Sequence, residues 1–255
     1  MTMHSPSFLR RLQGSANRPL HCVPWPVRLA LPCLLALQCL WHANQAPPAA
    51  RISALTPPPS YAMLRLASLG ESAAFAKFQM LSLQAHDYQA GHSIPFSKLD
   101  YVALRGWLGA ILDLDPPAQY PLLAAARLYA EAPGAQRARM MTEFVHQRFL
   151  EDPNRRWEAM AHAAVLARHR LHDMQLAHKY AKALREHARD PKVPAWVRQM
   201  EIFLLEDMNE LQAARLLLGA VLANNEAKDP QEVHFLLQRL QEMERKLQAQ
   251  AISAP

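Results

Sequence analysis

Several side chains in this chain are of types that do chemistry, and their spacing decides what they can do. Histidine is frequent from His162 to His187, and His162, His169 and His172 could share one face of a helix. Two histidines three residues apart can ligate a metal, but a helix-borne site adds further ligands converging in fixed geometry, as in His-Glu-x-x-His. No such motif is present, so these histidines read as the solvated face of a basic helix. A second group, Glu201, Glu206, Asp207 and Glu210, lies in QMEIFLLEDMNE. Paired carboxylates can act as general acid and base. Here no nucleophile or glycine-rich loop accompanies them. They read as the edge of an amphipathic helix, with Arg198 and Arg215 as partners. Arg155 and Arg156 stand beside Trp157. Arginine with an aromatic residue is a common composition for a binding hot spot, and it is also what the first turn of a helix after Asp152 would show. The cysteines, Cys22, Cys33 and Cys39, all fall within or before the apolar N-terminal segment. The rest of the chain therefore has no disulfide and no thiolate metal site. The sequence predicts no catalytic residue, no metal and no cofactor, and so no enzyme.

The elements that position these residues are read from composition and pattern. Apolar residues make up 51% of 255, enough for a sizeable core. Only 7 residues are glycine, and they are scattered, which argues against folds whose phosphate loops need clustered glycines. Ala, Leu, Arg, Gln and Met are abundant and favour helix. No stretch alternates with period two, so a sheet is not expected. The net charge of +6 is concentrated at one end. Residues 1–28 hold Arg10, Arg11, Arg18 and Arg28 and no acid, which leaves 24 basic and 22 acidic residues elsewhere. That mixed balance is an ordinary solvated surface and no footprint for nucleic acid.

From Leu29 to Ala50 there is no charged residue, and the apolar heart is LALPCLLALQCLW, Leu29 to Trp41. With its polar tail the segment just reaches the roughly 20 residues that a membrane span needs. A cleaved signal peptide, a soluble chain and an uncleaved anchor compete as readings. Trp41 and His42 crowd the nearest cleavage position, and Gln38 and Pro32 precede the cysteines where a lipoprotein signal wants a small residue, so the anchor is favoured. The expected organisation is a basic cytoplasmic segment over 1–28, a transmembrane segment over 29–43, a proline-rich linker over 44–60 and a helical domain over 61–250. The arginines keep the N-terminus in the cytoplasm and send the rest across. In a Gram-negative host the helical domain would be periplasmic, on the outer side of the inner membrane. The linker NQAPPAARISALTPPPS would be stiff and extended.

An Asp-Pro dipeptide recurs at Asp115-Pro116, Asp152-Pro153, Asp190-Pro191 and Asp229-Pro230, with spacings of 37, 38 and 39 residues. Proline lacks the N–H that a helix interior needs, so a repeated proline marks a repeated unit. An aromatic keeps step at Tyr120, Trp157, Trp196 and Phe235, spaced 37, 39 and 39. Each opens an apolar stripe at helical spacing, and a break follows at Ala132-Pro133-Gly134, His172-Asp173 and Asn209-Glu210. A second stripe then runs to the next Asp-Pro. Each unit reads as helix A, turn, helix B, stop. Before the repeats, residues 61–85 read as one long helix with Leu64, Ala67, Phe75, Phe78 and Leu81 on its apolar side. Residues 86–97 read as a loop, and Ser97-x-x-Asp100 as a capping box. The polar segment 231–249 reads as a terminal capping helix.

Residues 98–240 thus resemble the tetratricopeptide family of helical hairpins. Tyr120, Trp157 and Trp196 match its opening aromatic, and Pro153, Pro191 and Pro230 its closing proline. The units are longer than the family's roughly 34 residues and lack the Gly and Tyr of its helix A. The resemblance implies an all-α solenoid whose A helices line a binding groove, with Arg155, Glu158, His162 and Glu201 facing it. It implies a membrane-anchored scaffold for a protein or peptide partner, with no nucleic acid or small-molecule substrate. A structural envelope spacer, or an accessory domain of a glycan-processing enzyme, is the alternative.

Overall fold

The computed structural model describes residues 24–44, 54–89, 92–227 and 229–253. The chain divides into two compact units, residues 1–51 and 52–255. The first contributes one described helix, α1 (Trp25–Asn44), which buries none of its residues and carries Pro32 inside it. It is long and apolar enough to cross a membrane. At 1.5 Å per residue, its 20 residues span about 30 Å, the thickness of a bilayer's hydrocarbon. It starts four residues before the expected span, taking in Arg28. Arg10, Arg11, Arg18 and Cys22, and the first half of the proline-rich segment, lie outside the described residues.

The second unit is helical. Its elements are α2 (Tyr61–Ala67), α3 (Ser72–Ala85), α4 (Tyr101–Leu114), α5 (Tyr120–Ala124), α6 (Ala135–Phe149), α7 (Pro153–His169), α8 (Met174–His187), α9 (Ala195–Asp207), α10 (Leu211–Ala223) and α11 (Pro230–Ser253). A π-turn, Ala125–Tyr129, extends α5, with the Ala130 N–H donating to the Ala125 carbonyl. Among the described residues the only strands are Tyr88–Gln89 and His92–Ser93, paired antiparallel. Most breaks fall where the prolines put them. Pro153 and Pro230, read as closing residues, are the first residues of α7 and α11, a position where the missing N–H costs nothing. Asp190 and Asp229 accept the backbone N–H two residues on, at Lys192 (2.8 Å) and Gln231 (2.9 Å). Asp152-Pro153 and Asp229-Pro230 therefore start the next helix as much as they stop the last, whereas Pro116 and Pro191 lie in turns before α5 and α9.

Two local readings are corrected. The long helix over 61–85 is interrupted at Ser68–Glu71, where Leu69 and Gly70 adopt left-handed φ of 50° and 95°. Glycine takes that conformation at no steric cost and ends α2. After the break, α3 turns Ala76, Met80 and Leu83 inward and leaves Phe78 and Leu81 exposed. The capping box also dissolves. Asp100 itself caps α4, accepting from Val102 (2.8 Å) and Ala103 (3.1 Å), while Ser97 lies in a 3-10 turn.

Helices pack on their neighbours in the chain. Both α2 and α3 lie on α4, and from α6 to α11 each helix packs on the next. One apolar cluster runs from Leu64 to Leu204 and a second from Ile202 to Met243. Helix α9 serves both, giving Val197 and Leu204 to the first and Ile202 and Leu205 to the second. Alanines at the α7–α8 contact, including Ala163, Ala167, Ala177 and Ala181, are fully buried and let the backbones approach.

The second half of the proline-rich segment is part of this unit. The Trp107 indole donates to the Thr56 carbonyl at 2.7 Å, and Leu55 packs on the core. A Cβ on Gly106 would meet the Pro58 ring at 3.0 Å. Residues 54–60 thus form a strap against α4. Trp107→Phe keeps the ring and removes the donor. It should cost about 1 kcal/mol, the net worth of one hydrogen bond. It should also lower the backbone order parameters of Leu55 and Thr56 toward those of a flexible loop, with those of α7 unchanged. Unchanged values at Leu55 and Thr56 would show that the hydrogen bond does not hold the strap.

Candidate interaction surface

Side chains 31–40 residues apart in sequence meet across the packed helices. Arg139 bonds Asp173 (2.5 Å), Arg148 bonds Asp113 (2.8 Å) and His162 bonds Glu131 (2.9 Å). Arg170 donates to the Ala132 carbonyl (2.9 Å), and Arg239 and Lys246 both reach Glu206, at 2.9 and 3.0 Å. These partners are 31–40 residues apart in sequence, the span of one unit. Asp173 does two jobs. It accepts the Leu176 N–H at the start of α8 and pairs with Arg139 on α6, and these bonds hold its carboxyl below the usual carboxylate range. On the same side, His146 stacks on Tyr180, centroids 5.3 Å apart. Burial pushes the Tyr180 hydroxyl up to about 12, and it pushes His146 down, helped by Lys179 and His187.

The four residues expected in a groove do not share one environment. Arg155 and Glu158 are exposed on α7, with Arg155 paired to Asp152 at 3.0 Å. His162, one turn on from Glu158, is half-buried against Glu131. Glu201 is the correction. It is 3% exposed and lies under α8, held by Arg185 and by His178 at 3.2 Å. A carboxylate at a helix edge by pattern is covered here because Arg185 and His178 arrive from the preceding helix. Asp207 likewise pairs with Arg168 at 2.7 Å, and neither Arg198 nor Arg215 serves this acidic group. Arg156 is also buried, and is therefore no surface hot spot.

The aromatics behave differently from a buried repeat core. Trp157 and Trp196 meet edge to face, centroids 5.8 Å apart. Trp157 is half-buried and Trp196 is 50% exposed. Phe203 and Phe235 lie 6.5 Å apart, with Phe235 about half-exposed. Trp157 and Trp196, near the starts of α7 and α9, thus form a short, partly open aromatic row, with the polar Arg155 and Glu158 beside Trp157 in sequence. Sequence periodicity found these residues, but it could not tell a core ring from a half-open one. Among the described residues no group of three or more His, Cys, Asp or Glu side chains converges as a metal site would; His169 and His172 are exposed. Compared with protein-family profiles, curated proteins and solved structures, the chain matches none of them.

Proposed function

We propose that the helical unit is an α-solenoid of the tetratricopeptide kind, anchored in the inner membrane by α1 with its N-terminus cytoplasmic. On this reading it works outside the cytoplasm as a docking scaffold for a protein or peptide, with the A-helix face as its binding surface. The observation that carries the reading is the Trp157–Trp196 pair. A ring half open to solvent at the same place in successive hairpins supplies large, rigid contact area at little entropic cost, the property of interface anchors. Arg155, Glu158 and His162 flank it as orienting polar groups. Helical hairpins joined at one-unit spacing support the solenoid part of the reading.

The test uses the full-length protein with a photo-crosslinker at Val165, an exposed position on α7. A discrete crosslinked protein partner is expected. The Arg155→Ala/Glu158→Ala variant should melt close to wild type, since both residues are exposed and such substitutions usually change stability by less than about 0.5 kcal/mol each. It should still lose much of the capture. Replacing both Trp157 and Trp196 with Ala should reduce capture about 30-fold or more, the equivalent of at least roughly 2 kcal/mol for hot-spot residues. No partner at Val165, or capture indifferent to both variants, removes this face from consideration and favours the spacer.

A further inference from the structure

Helices α2 and α3 are apolar on two sides. In α3 the buried residues are Ala76, Met80 and Leu83, and the helix packs on α4. On its other side Ala74, Phe78, Leu81 and Ala85 recur at helical spacing, and all four are exposed. In α2 only Leu64 is buried, while Met63 and Leu66 stand in solvent. Leu69, in the turn between the two helices, is 90% exposed and has a left-handed φ of 50°. A leucine gains nothing from the fold there, because it rarely adopts that conformation and its side chain packs on no core. From α6 to α10 the exposed large apolar side chains are single, as at Leu150, Val165, Trp196 and Leu216. Single ones are ordinary; a cluster marks a contact with protein or lipid.

Charge and chain length favour lipid. Between Tyr61 and Ala85 the charged residues are Arg65 and Lys77, both exposed, and Glu71 in the turn. The hairpin is net positive, so two copies set face to face would oppose like charges. An anionic phospholipid surface accepts both cations, while its acyl chains take the leucines and Phe78. Tyr61, exposed at the start of α2, is of a type enriched at membrane interfaces. From Asn44, the end of α1, to the strap at Ala54 the chain reaches at most about 35 Å fully extended.

We infer that the α2–α3 hairpin lies on an anionic phospholipid bilayer, with Met63, Leu66, Leu69, Phe78 and Leu81 entering the boundary between headgroups and acyl chains. The choice of lipid as the occupant rests on α1 as a membrane span. The bilayer then holds the chain at two places, α1 and this face.

The test uses the full chain in vesicles of phosphatidylethanolamine and phosphatidylglycerol. The chain carries Cys22→Ser, Cys33→Ser and Cys39→Ser, and a nitroxide is attached through Leu35→Cys, Leu81→Cys or Val165→Cys, one at a time. Relaxation by oxygen, which concentrates in hydrocarbon, is compared with relaxation by a water-soluble nickel chelate. The oxygen-to-nickel ratio at Leu81 should exceed that at Val165 about threefold or more, as for a side chain several ångströms inside the boundary. Leu66→Ser combined with Phe78→Ser should bring the Leu81 ratio down to that of Val165. Thermal unfolding should stay near wild type, since both side chains are exposed. Three results would each overturn the inference: equal ratios at Leu81 and Val165, a Leu81 label shielded from both reagents as under a second copy or a protein partner, or a Leu81 ratio indifferent to the double change. Leu35 reports the anchor separately. A Leu35 label in water with Leu81 in lipid removes the span and leaves this contact, and the reverse removes the contact and leaves the span.

Discussion

Arg156→Ala should destabilise the helical unit by about 3 kcal/mol, while Arg155→Ala, one residue away, should change it by less than about 0.5 kcal/mol. The two side chains differ only in where they point. Arg155 is exposed and pairs with Asp152 three residues earlier, an arrangement worth a few tenths of a kcal/mol. Arg156 is 4% exposed. Its Nη1 donates to the Arg148 carbonyl (2.5 Å) and to Glu151 (2.8 Å), and its Nη2 to the Pro116 carbonyl (3.2 Å). It thereby ties the end of α6 and the preceding Asp-Pro turn to the start of α7. Bonds from a charged donor contribute about 1.5–3 kcal/mol each, and they are not additive. Truncation also leaves the Pro116 carbonyl without its donor, while the Arg148 carbonyl keeps the Glu151 N–H at 3.3 Å. Glu151 is not stranded, because Arg148 holds it at 2.9 Å and it is half in solvent. For a unit of this size the cost corresponds to a fall in Tm of roughly 6–12 °C. Arg156→Lys should recover less than half of that, since a point charge cannot span three acceptors. Thermal unfolding by circular dichroism gives the answer. Equal melting of the Arg155 and Arg156 variants would refute this role.

The second large effect is expected at Arg185. Glu201 has only 4% of its side chain exposed, and its partners are Arg185 and His178. Arg185→Leu leaves that carboxylate buried with one histidine. Breaking a buried pair from one side costs about 3–5 kcal/mol. The lower end is expected here, because Arg185 is itself about one-third exposed and water can enter. Arg185→Leu combined with Glu201→Leu should regain most of the loss, since no charge is then left uncompensated. A double-mutant cycle in denaturant should give a coupling of roughly 2 kcal/mol. Simple additivity of the two single changes would mean that the pair is not coupled and that Glu201 is solvated in solution.

Helix identity, helix boundaries and the unit length were legible in the sequence because their causes act over a few residues. Proline lacks a donor, aspartate caps the next N–H groups, and glycine permits left-handed φ. The Asp-Pro series placed most of the breaks, and the apolar run before Trp41 placed α1. The break at Leu69–Gly70 was missed because a lone glycine within an apolar pattern is weak evidence of an ending. What the sequence did not determine was which polar side chains go inside and which rings stay open. Those outcomes depend on neighbours 16 to 40 residues away in sequence. Glu201 is covered because Arg185 and His178 come down from α8; Arg156 is buried because the Pro116 carbonyl lies 40 residues back; Trp196 meets Trp157 edge to face and stays half open. The proline strap was invisible for the same reason, since its partner Trp107 is 51 residues from Thr56. Periodicity records that a helix has two sides, and only the packed structure decides what each side meets.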